Sequence, residues 1–140
     1  MTDASIAYGI DFQRSDMQAA PAFTTVGEIL NVSPPSLSRD TVDATHSKSP
    51  NRFREFIAGL RDGGEVSVEI QFDPGSTTAA AAIADLETDT AIDYKIVFPD
   101  TSEWDFSALC TGIETDAPID DKMVATFTYK VTGRPVLTAA

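Results

Sequence analysis

Residues 65–73, Glu-Val-Ser-Val-Glu-Ile-Gln-Phe-Asp, alternate strictly between polar and apolar side chains. The apolar positions are Val66, Val68, Ile70 and Phe72. This period of two is typical of a strand with one buried face. Asp62-Gly63-Gly64 precedes the stretch and Asp73-Pro74-Gly75 follows it, and both are turn signals. The sequence therefore predicts a half-buried strand bounded by turns.

Similar alternation recurs along the chain. Three further stretches have one apolar face, and they are Ile92–Phe98, Trp104–Cys110 and Met123–Val131. Two weaker stretches also favour strands: Ala22–Val32, which contains Gly27, and the polar, threonine-rich Arg39–His46. Period-two patterning thus predicts a protein built mainly from strands.

One segment, residues 76–87, predicts an α-helix. Hydroxyl side chains at 76–78 can cap its first turn, and the alanine-rich run that follows has high helix propensity. A narrow apolar stripe has helical spacing and consists of Ala79, Ala82, Ile83 and Leu86. A second, shorter helical turn is predicted over Arg52–Leu60, although Gly59 weakens it.

Strands, then one helix, then strands indicate a mainly β (α+β) fold rather than alternating βαβ units. We expect a β-sandwich or partly open barrel with one flanking α-helix and a long loop between early strands. The 140 residues are the length of one domain. The short, polar segments 1–20 and 134–140 are interpreted as N-terminal and C-terminal arms.

The charge balance disfavours several partners. Ten basic residues against 22 acidic ones give a net charge of −12. Such a chain repels nucleic acid phosphates and anionic membrane surfaces. The window 39–61 is the exception, with five basic and three acidic residues. It is either an element that meets the acidic surface of another copy or a solvated loop of mixed charge.

No catalytic motif is visible in the sequence. It lacks a nucleophile elbow, a P-loop, an HExxH motif and a CxxC pair. The single histidine, His46, lies in a polar Thr/Ser-rich stretch, and the single cysteine, Cys110, shares a predicted apolar face with Trp104 and Phe106. Adjacent Asp120 and Asp121 do not point the same way on a strand or turn. We therefore expect no enzyme activity, no metal and no cofactor.

Targeting signals are equally lacking in the sequence. The longest apolar stretches are far shorter than the ~20 residues that cross a bilayer, and residues 1–4 have no basic signal-peptide region. We expect no membrane insertion by this chain. Strand edges left uncovered in such a fold invite strand addition by a neighbour, so the function is expected to lie in assembly.

An ordered set of short motifs resembles a known family. The motifs are Arg39–Ser47, Phe53–Val66, Phe72–Pro74, Ile96–Asp100 (Ile-Val-Phe-Pro-Asp), Trp104–Phe106 (Trp-Asp-Phe) and Val131–Pro135 (Val-Thr-Gly-Arg-Pro). Together they resemble the tail tube (major tail) proteins of long-tailed, non-contractile phages and the related gene transfer agents. The resemblance runs through roughly residues 25–136, and the arm at 1–20 carries no part of it.

The resemblance implies a structural role in a virion tail, with synthesis in the bacterial cytoplasm before assembly. Six copies would form a ring whose inner wall is a continuous β-barrel, and rings would stack into a hollow tube through which double-stranded DNA passes without specific binding. The implied partners are the chain itself, a tape-measure protein, a tail-tip (distal tail) protein and a tail terminator. Residues 40–62 would form a long assembly loop.

Two sets of residues are candidates for this role. Contacts between subunits and rings are expected from the loop residues Thr45, His46, Arg52, Phe53, Arg54, Glu55, Phe56 and Ile57. Alternatively, Phe53, Phe56, Ile57 and Leu60 simply cap the subunit's own core. The candidates to face the lumen or solvent are Glu65, Glu69, Thr126, Thr128 and Lys130.

Other functions remain open at this point. A related ring or tube protein, such as a secretion-system tube or a tail terminator, has the same broad architecture. An acidic β-sandwich binding module or a small acid-catalysed hydrolase would instead need a pocket with convergent carboxylates.

Overall fold

Strands dominate the computed structural model, which describes residues 6, 8–16, 22–75 and 77–139. Within these residues the strands are β1 Asp11–Ser15, β2 Phe23–Thr25, β3 Glu28–Ser33, β4 Ser38–Asp43, β5 Phe56–Asp62, β6 Glu65–Gln71, β7 Ile92–Val97, β8 Glu103–Asp116 and β9 Val124–Thr138. The helix α1 Thr77–Glu87 lies between β6 and β7, and a 3₁₀ turn, Pro50–Arg52, lies between β4 and β5. The predicted fold class is confirmed.

Seven strands form an antiparallel sheet in the order β2-β1-β7-β8-β9-β6-β3, and β4 and β5 form a separate pair. The alternation at 65–73 folds as predicted: the apolar residues of β6 are buried and pair with buried residues of β9. These cross-strand pairs are Val66 with Tyr129, Val68 with Phe127 and Ile70 with Ala125.

The large sheet curls so that its apolar face closes on itself. Phe12 of β1 and Tyr129 of β9 are separated in the sheet by β7 and β8, yet their ring centroids are 5.5 Å apart. Three strand spacings of about 4.8 Å would place them roughly 14 Å apart in a flat sheet. Tyr94 and Phe106 complete this aromatic cluster. The fold is a sandwich-like open barrel whose edge strands are β2 and β3.

Helix α1 covers part of the core with its smallest apolar residue. Ala82 and Asp85 are buried, whereas Ile83 and Leu86 are each more than two-fifths exposed. The predicted apolar stripe is therefore wrong at Ile83 and Leu86, and the side chain of Ala79 lies outside the described residues. An alanine at the contact allows close approach of the helix to the sheet. In the described part of the chain, no helix is long and apolar enough to cross a membrane.

Both predicted arms contain sheet strands. Residues 11–15 of the segment 1–20 form β1 between β2 and β7, because Phe12 is fully buried in the aromatic cluster. Residues 134–138 of the segment 134–140 belong to β9, and 136–138 pair with the start of β8. The arm prediction is wrong for these residues, while 1–5, 7, 17–20 and 140 lie outside the described residues.

A bulge makes the C-terminal extension of β9 possible. Between the pairs Asp105–Val136 and Ser107–Thr132, β9 advances four residues while β8 advances two. Gly133 lies in this bulge with φ +80°, a conformation that costs glycine least. The strand therefore continues past a Gly-Arg-Pro sequence that normally indicates a strand end.

The predicted helical turn over Arg52–Leu60 is also wrong. Residues 56–62 form β5, which pairs antiparallel with β4. A helix there would need a surface on which to bury its apolar stripe, whereas pairing with β4 satisfies the backbone groups of a projecting segment. A Cβ at Gly59 would lie 3.0 Å from the carbonyl oxygen of Asp40, so glycine there favours the close approach of the two strands.

The predicted strand Ala22–Val32 is divided into two strands. Its first part, β2, pairs with β1, and its second part, β3, pairs with β6 at the other edge of the sheet. Val26 lies between them, is buried, and donates its amide to the Phe12 carbonyl at 3.0 Å. The break lets one continuous segment supply both sheet edges.

Candidate functional site

The β4–β5 pair and its connection, residues 38–62, form a projecting hairpin. Its register pairs Thr41 with Ala58, Val42 with Ile57 and Asp43 with Phe56. Among the described strands, β4 and β5 pair only with each other, so neither face of the hairpin is covered by a second sheet. All eight predicted interface residues lie on this hairpin, most of them at or beside its tip.

Side-chain hydrogen bonds order the hairpin tip. The Glu55 amide donates to the Thr45 hydroxyl at 2.8 Å, and the Thr45 amide donates to Asp43 at 2.9 Å. The carboxylate of Glu55 accepts from the Ser49 hydroxyl at 2.7 Å and lies 3.3 Å from His46 Nε2. Hydrogen bonds from Thr45 hold the pKa of Asp43 below its ordinary value. The shape of the hairpin tip is therefore determined by hydrogen bonds within the subunit.

Large apolar side chains of the hairpin are exposed. Phe53 is 73% and Leu60 is 84% exposed, and Phe56 and Ile57 are each more than half exposed. Val42, the cross-strand partner of Ile57, is also about half exposed. The alternative in which these residues cap the subunit's own core is therefore wrong. Several large apolar side chains left exposed on one hairpin mark an interaction site.

Basic side chains flank that apolar surface. Arg52 and Arg54 are exposed beside Phe53, and the Arg54 guanidinium lies 3.8 Å from the Asp43 carboxylate. An apolar centre with a charged, solvated rim is the usual composition of a protein–protein interface. The geometry brings together every member of the predicted interface set.

The predicted lumen or solvent candidates lie on the outward face of the large sheet. Register pairs Glu65 with Lys130 and Glu69 with Thr126, and Thr128 lies opposite Ser67 between them. The Lys130 ammonium is 3.3 Å from Asp62, and the Gly64 amide together with Lys130 holds the pKa of Asp62 below its ordinary value. These side chains form one polar surface opposite the core.

The same face is acidic farther across β7 and β8. We use the term acidic face for the outward surface whose charged residues include Glu65, Glu69, Asp93, Lys95, Glu103, Asp105, Glu114 and Lys130. Lys95 pairs with Glu103 at 3.2 Å and lies opposite Asp105. Burial raises the pKa of Asp105, Lys95 opposes that rise, and Glu103 and Asp93 add to it. Carboxylates thus outnumber ammonium groups on this surface.

The residues considered for catalysis are engaged elsewhere. His46 Nδ1 accepts the Lys48 amide, its Nε2 faces Glu55, and Ser49 donates to Glu55 rather than to the histidine. Cys110 is buried as predicted, and burial raises the pKa of its thiol. Among the described residues, no group of three or more His, Cys, Asp or Glu side chains could hold a metal ion.

A buried ion pair was missed by the sequence analysis. Arg14 of β1 donates twice to Asp85 of α1, at 2.6 Å each, and Tyr94 of β7 donates to the same carboxylate at 2.9 Å. Burial raises the pKa of Tyr94, so its hydroxyl remains a donor. Asp85 lies three residues after Ala82, and that helical spacing was the available signal. The contact fixes the helix to the sheet.

A curled sheet with an uncovered, pre-ordered hairpin defines a subunit of an assembling structural protein. Residues 11–138 match the family described as Lambda phage tail tube protein, TTP. The chain belongs to this family, and it is a structural subunit of a virion tail tube. The resemblance identified from the sequence motifs is confirmed. No curated protein matches the chain.

Solved structures share the fold at low sequence identity. The tail of an empty gene transfer agent particle, refined with C6 helical symmetry, superposes with a TM-score of 0.77 and 19% identity over 97% of this chain and 100% of that one. The sheath–tube complex of an extracellular contractile injection system superposes with a TM-score of 0.73 and 16% identity, over 100% of this chain and 95% of that one. The SPP1 tail tube superposes with a TM-score of 0.67 and 11% identity, over 94% of this chain and 77% of that one.

Proposed function

We propose that this chain polymerises as hexameric rings that stack into a hollow tube, with the hairpin as the main contact between subunits. The observation that carries the proposal is the exposure of the apolar side chains Phe53, Phe56, Ile57 and Leu60 on a hairpin whose tip is already ordered by hydrogen bonds. Pre-ordering lowers the entropy lost when copies associate. The sixfold symmetry of the similar gene transfer agent tail supports the ring size.

The function proposed here involves no chemical step. The subunit acts by position, and no bond in a substrate is made or broken. The family is structural, which supports this conclusion. The contacts of His46 and Ser49 also support it, since the Ser49 hydroxyl donates to Glu55 and not to His46, the base that would have to activate it.

The hairpin assignment is tested by the double variant F56D/I57D. We expect the folded subunit to remain in solution without forming tubes, because two carboxylates would be buried in the contact. The matched control is I83D/L86D, which adds the same charge at exposed apolar residues of α1. Sedimentation and negative-stain microscopy show whether each of the two variants forms tubes. Normal tubes from F56D/I57D, or their loss from the control, would overturn the assignment.

We further propose that the acidic face lines the channel through which double-stranded DNA passes. A conduit must not bind its cargo, and a carboxylate-rich wall repels phosphates at short range. The threonines Thr126 and Thr128 add neutral polar surface between the charges. Such a wall supports transit without specific recognition.

Cysteine accessibility tests the position of the acidic face. The variant T128C would be treated in tubes with a small maleimide and with a maleimide on a polymer too large for the channel. The native Cys110 gives little background, because it is buried with a raised thiol pKa. We expect reaction with the small reagent alone, and with both reagents for a T90C control. Reaction of T128C with both, or with neither, would contradict the assignment.

The proposed partners at the tube ends are a tail-tip protein, a tail terminator and a tape-measure protein inside the growing tube. A terminating role for the chain itself is the second candidate function, because the cap of the anti-feeding prophage tube shares the fold with a TM-score of 0.65. Polymer length separates the two functions. A tube protein yields stacks of many rings on a tail-tip template, whereas a terminator stops at a single ring.

A further inference from the structure

A second uncovered surface lies where the base of the hairpin meets the ends of β8 and β9. It is an open groove of about 860 Å³. Arg39, Arg61 and Arg134 line it, and Leu37 and Leu137, each more than half exposed, contribute apolar walls. We call this surface the arginine groove. It is separate from the hairpin tip, and it adjoins the acidic face at Asp62, which pairs with Lys130.

The arginine groove is basic on a strongly acidic chain. Its acidic lining residue, Asp62, is already paired with Lys130 at 3.3 Å. No ion pair joins Arg39, Arg61 or Arg134 to a carboxylate of the described residues. Three free guanidinium groups beside apolar side chains favour an occupant that offers both carboxylates and an apolar side chain.

This chain carries such a segment in the loop between β8 and β9. Ile119 is fully exposed at this loop, and the adjacent Asp120 and Asp121 are exposed as well. Asp116 at the end of β8 adds a further exposed carboxylate. The loop is therefore complementary to the arginine groove in both charge and hydrophobicity.

The loop and the groove lie at opposite ends of the same strand pair. Trp104 and Leu137 pair beside the groove, whereas Asp116 and Val124 pair beside the loop. The twelve residue steps of β8 between them span about 40 Å at roughly 3.3 Å per residue. The loop cannot reach the groove of its own subunit, so the occupant must belong to a second copy. A head-to-tail contact of this kind produces linear growth when the rotation between successive copies does not close a ring.

We propose that the Ile119 loop of one copy docks in the arginine groove of the next copy along the tube axis. Ile119 packs between the apolar walls, and Asp120 and Asp121 pair with the guanidinium groups. This stacking contact rests on the proposed tube function and is additional to the hairpin contact. It gives the tube a direction, because each ring presents loops at one end and grooves at the other.

Charge reversal tests the contact. The loop variant D120R/D121R and the groove variant R39D/R134D should each fail to elongate, since like charges then meet at every junction. The chain that carries all four substitutions should regain tubes, and so should an equimolar mixture of the two variants. The matched control E87R/D89R reverses two exposed acids beyond the contact and should assemble normally.

Truncating the apolar side chain gives a graded test. Ile119→Ser should raise the critical concentration for elongation at least about tenfold, the equivalent of roughly 1.4 kcal/mol of lost burial. Elongation by either reversed variant alone, or no recovery in both the fourfold chain and the mixture, would overturn the stacking contact. Failure of the proposed function has a different signature, because the wild-type chain would then form no tubes.

Discussion

Strands β5 and β6 are neighbours in the chain, separated by Gly63 and Gly64, but their apolar residues have opposite fates. Val66 and Val68 of β6 are completely buried, whereas Ile57 and Leu60 of β5 are more than half exposed. The difference follows from pairing: β6 lies between β3 and β9 in the curled sheet, and β5 pairs with β4 in a projecting hairpin. Apolar residues of the first kind stabilise the fold of the subunit, and those of the second kind are exposed and form the contact that we propose between copies.

The largest expected effect on subunit stability is at the centre of the curled sheet. Phe127→Ala should lower the free energy of unfolding by about 3–5 kcal/mol, since it leaves a cavity in a fully buried site. Phe53→Ala on the hairpin should change it by less than about 0.5 kcal/mol. Urea denaturation of both variants measures the two changes. Equal losses of unfolding free energy would contradict the difference between the buried sheet and the exposed hairpin.

The next largest effect is expected at the buried ion pair. Asp85→Ala leaves Arg14 and the Tyr94 hydroxyl without their acceptor and should cost about 3 kcal/mol. Asp89→Ala, an exposed neighbour beyond the helix end, serves as the control and should be near neutral. Thermal denaturation measures both, and a cost below about 1 kcal/mol for Asp85→Ala would show that the pair does not anchor α1.

A smaller effect is expected at the hairpin tip. Thr45→Val removes the hydroxyl that accepts from the Glu55 amide, and the pKa of Asp43 should rise toward its ordinary value. Because the folded pKa of Asp43 is lowered, its contribution to tip stability is present above its unfolded pKa and is lost as pH falls through the folded pKa. NMR titration of Asp43 measures the change. An unaltered pKa in this variant, with Thr128→Val as the control, would contradict the ordering role of Thr45.

The smallest effect is expected on the acidic face. Asp105→Asn should raise the melting temperature at neutral pH by about 1–2 °C, because the charged form of this residue is disfavoured in the folded state. A raised carboxyl pKa means that folding is favoured by protonation, so the gain should vanish below the unfolded pKa of Asp105. Differential scanning calorimetry at pH 7 and pH 3 checks this, and an equal gain at both values would contradict it.

Local patterning predicted the parts of the fold in which burial follows the strand period. The alternation in β6, β7 and β9 and the alanine-rich run of α1 each form the predicted element. The motif order also predicted the family, which the match over residues 11–138 confirms. These features depend on short stretches of sequence, and each stretch carries its own signal.

The remaining features depend on contacts between distant segments. β1 has a single large apolar residue, Phe12, and becomes a strand only because β7 and the aromatic cluster receive it. The spacing of Phe53, Phe56, Ile57 and Leu60 fits a helix, but pairing with β4 decides the outcome. The sequence around Asp85 did not predict its ion pair with Arg14, which lies 71 residues away. Tertiary context overrides local propensity at each of these places.

Electron cryomicroscopy of the polymer formed by the wild-type chain tests the central claim most directly. We expect stacked rings around an open channel, with Phe53, Phe56 and Ile57 covered by a neighbouring subunit and the acidic face turned toward the channel. A polymer without a channel, or one in which the hairpin side chains stay in solvent, would contradict the account.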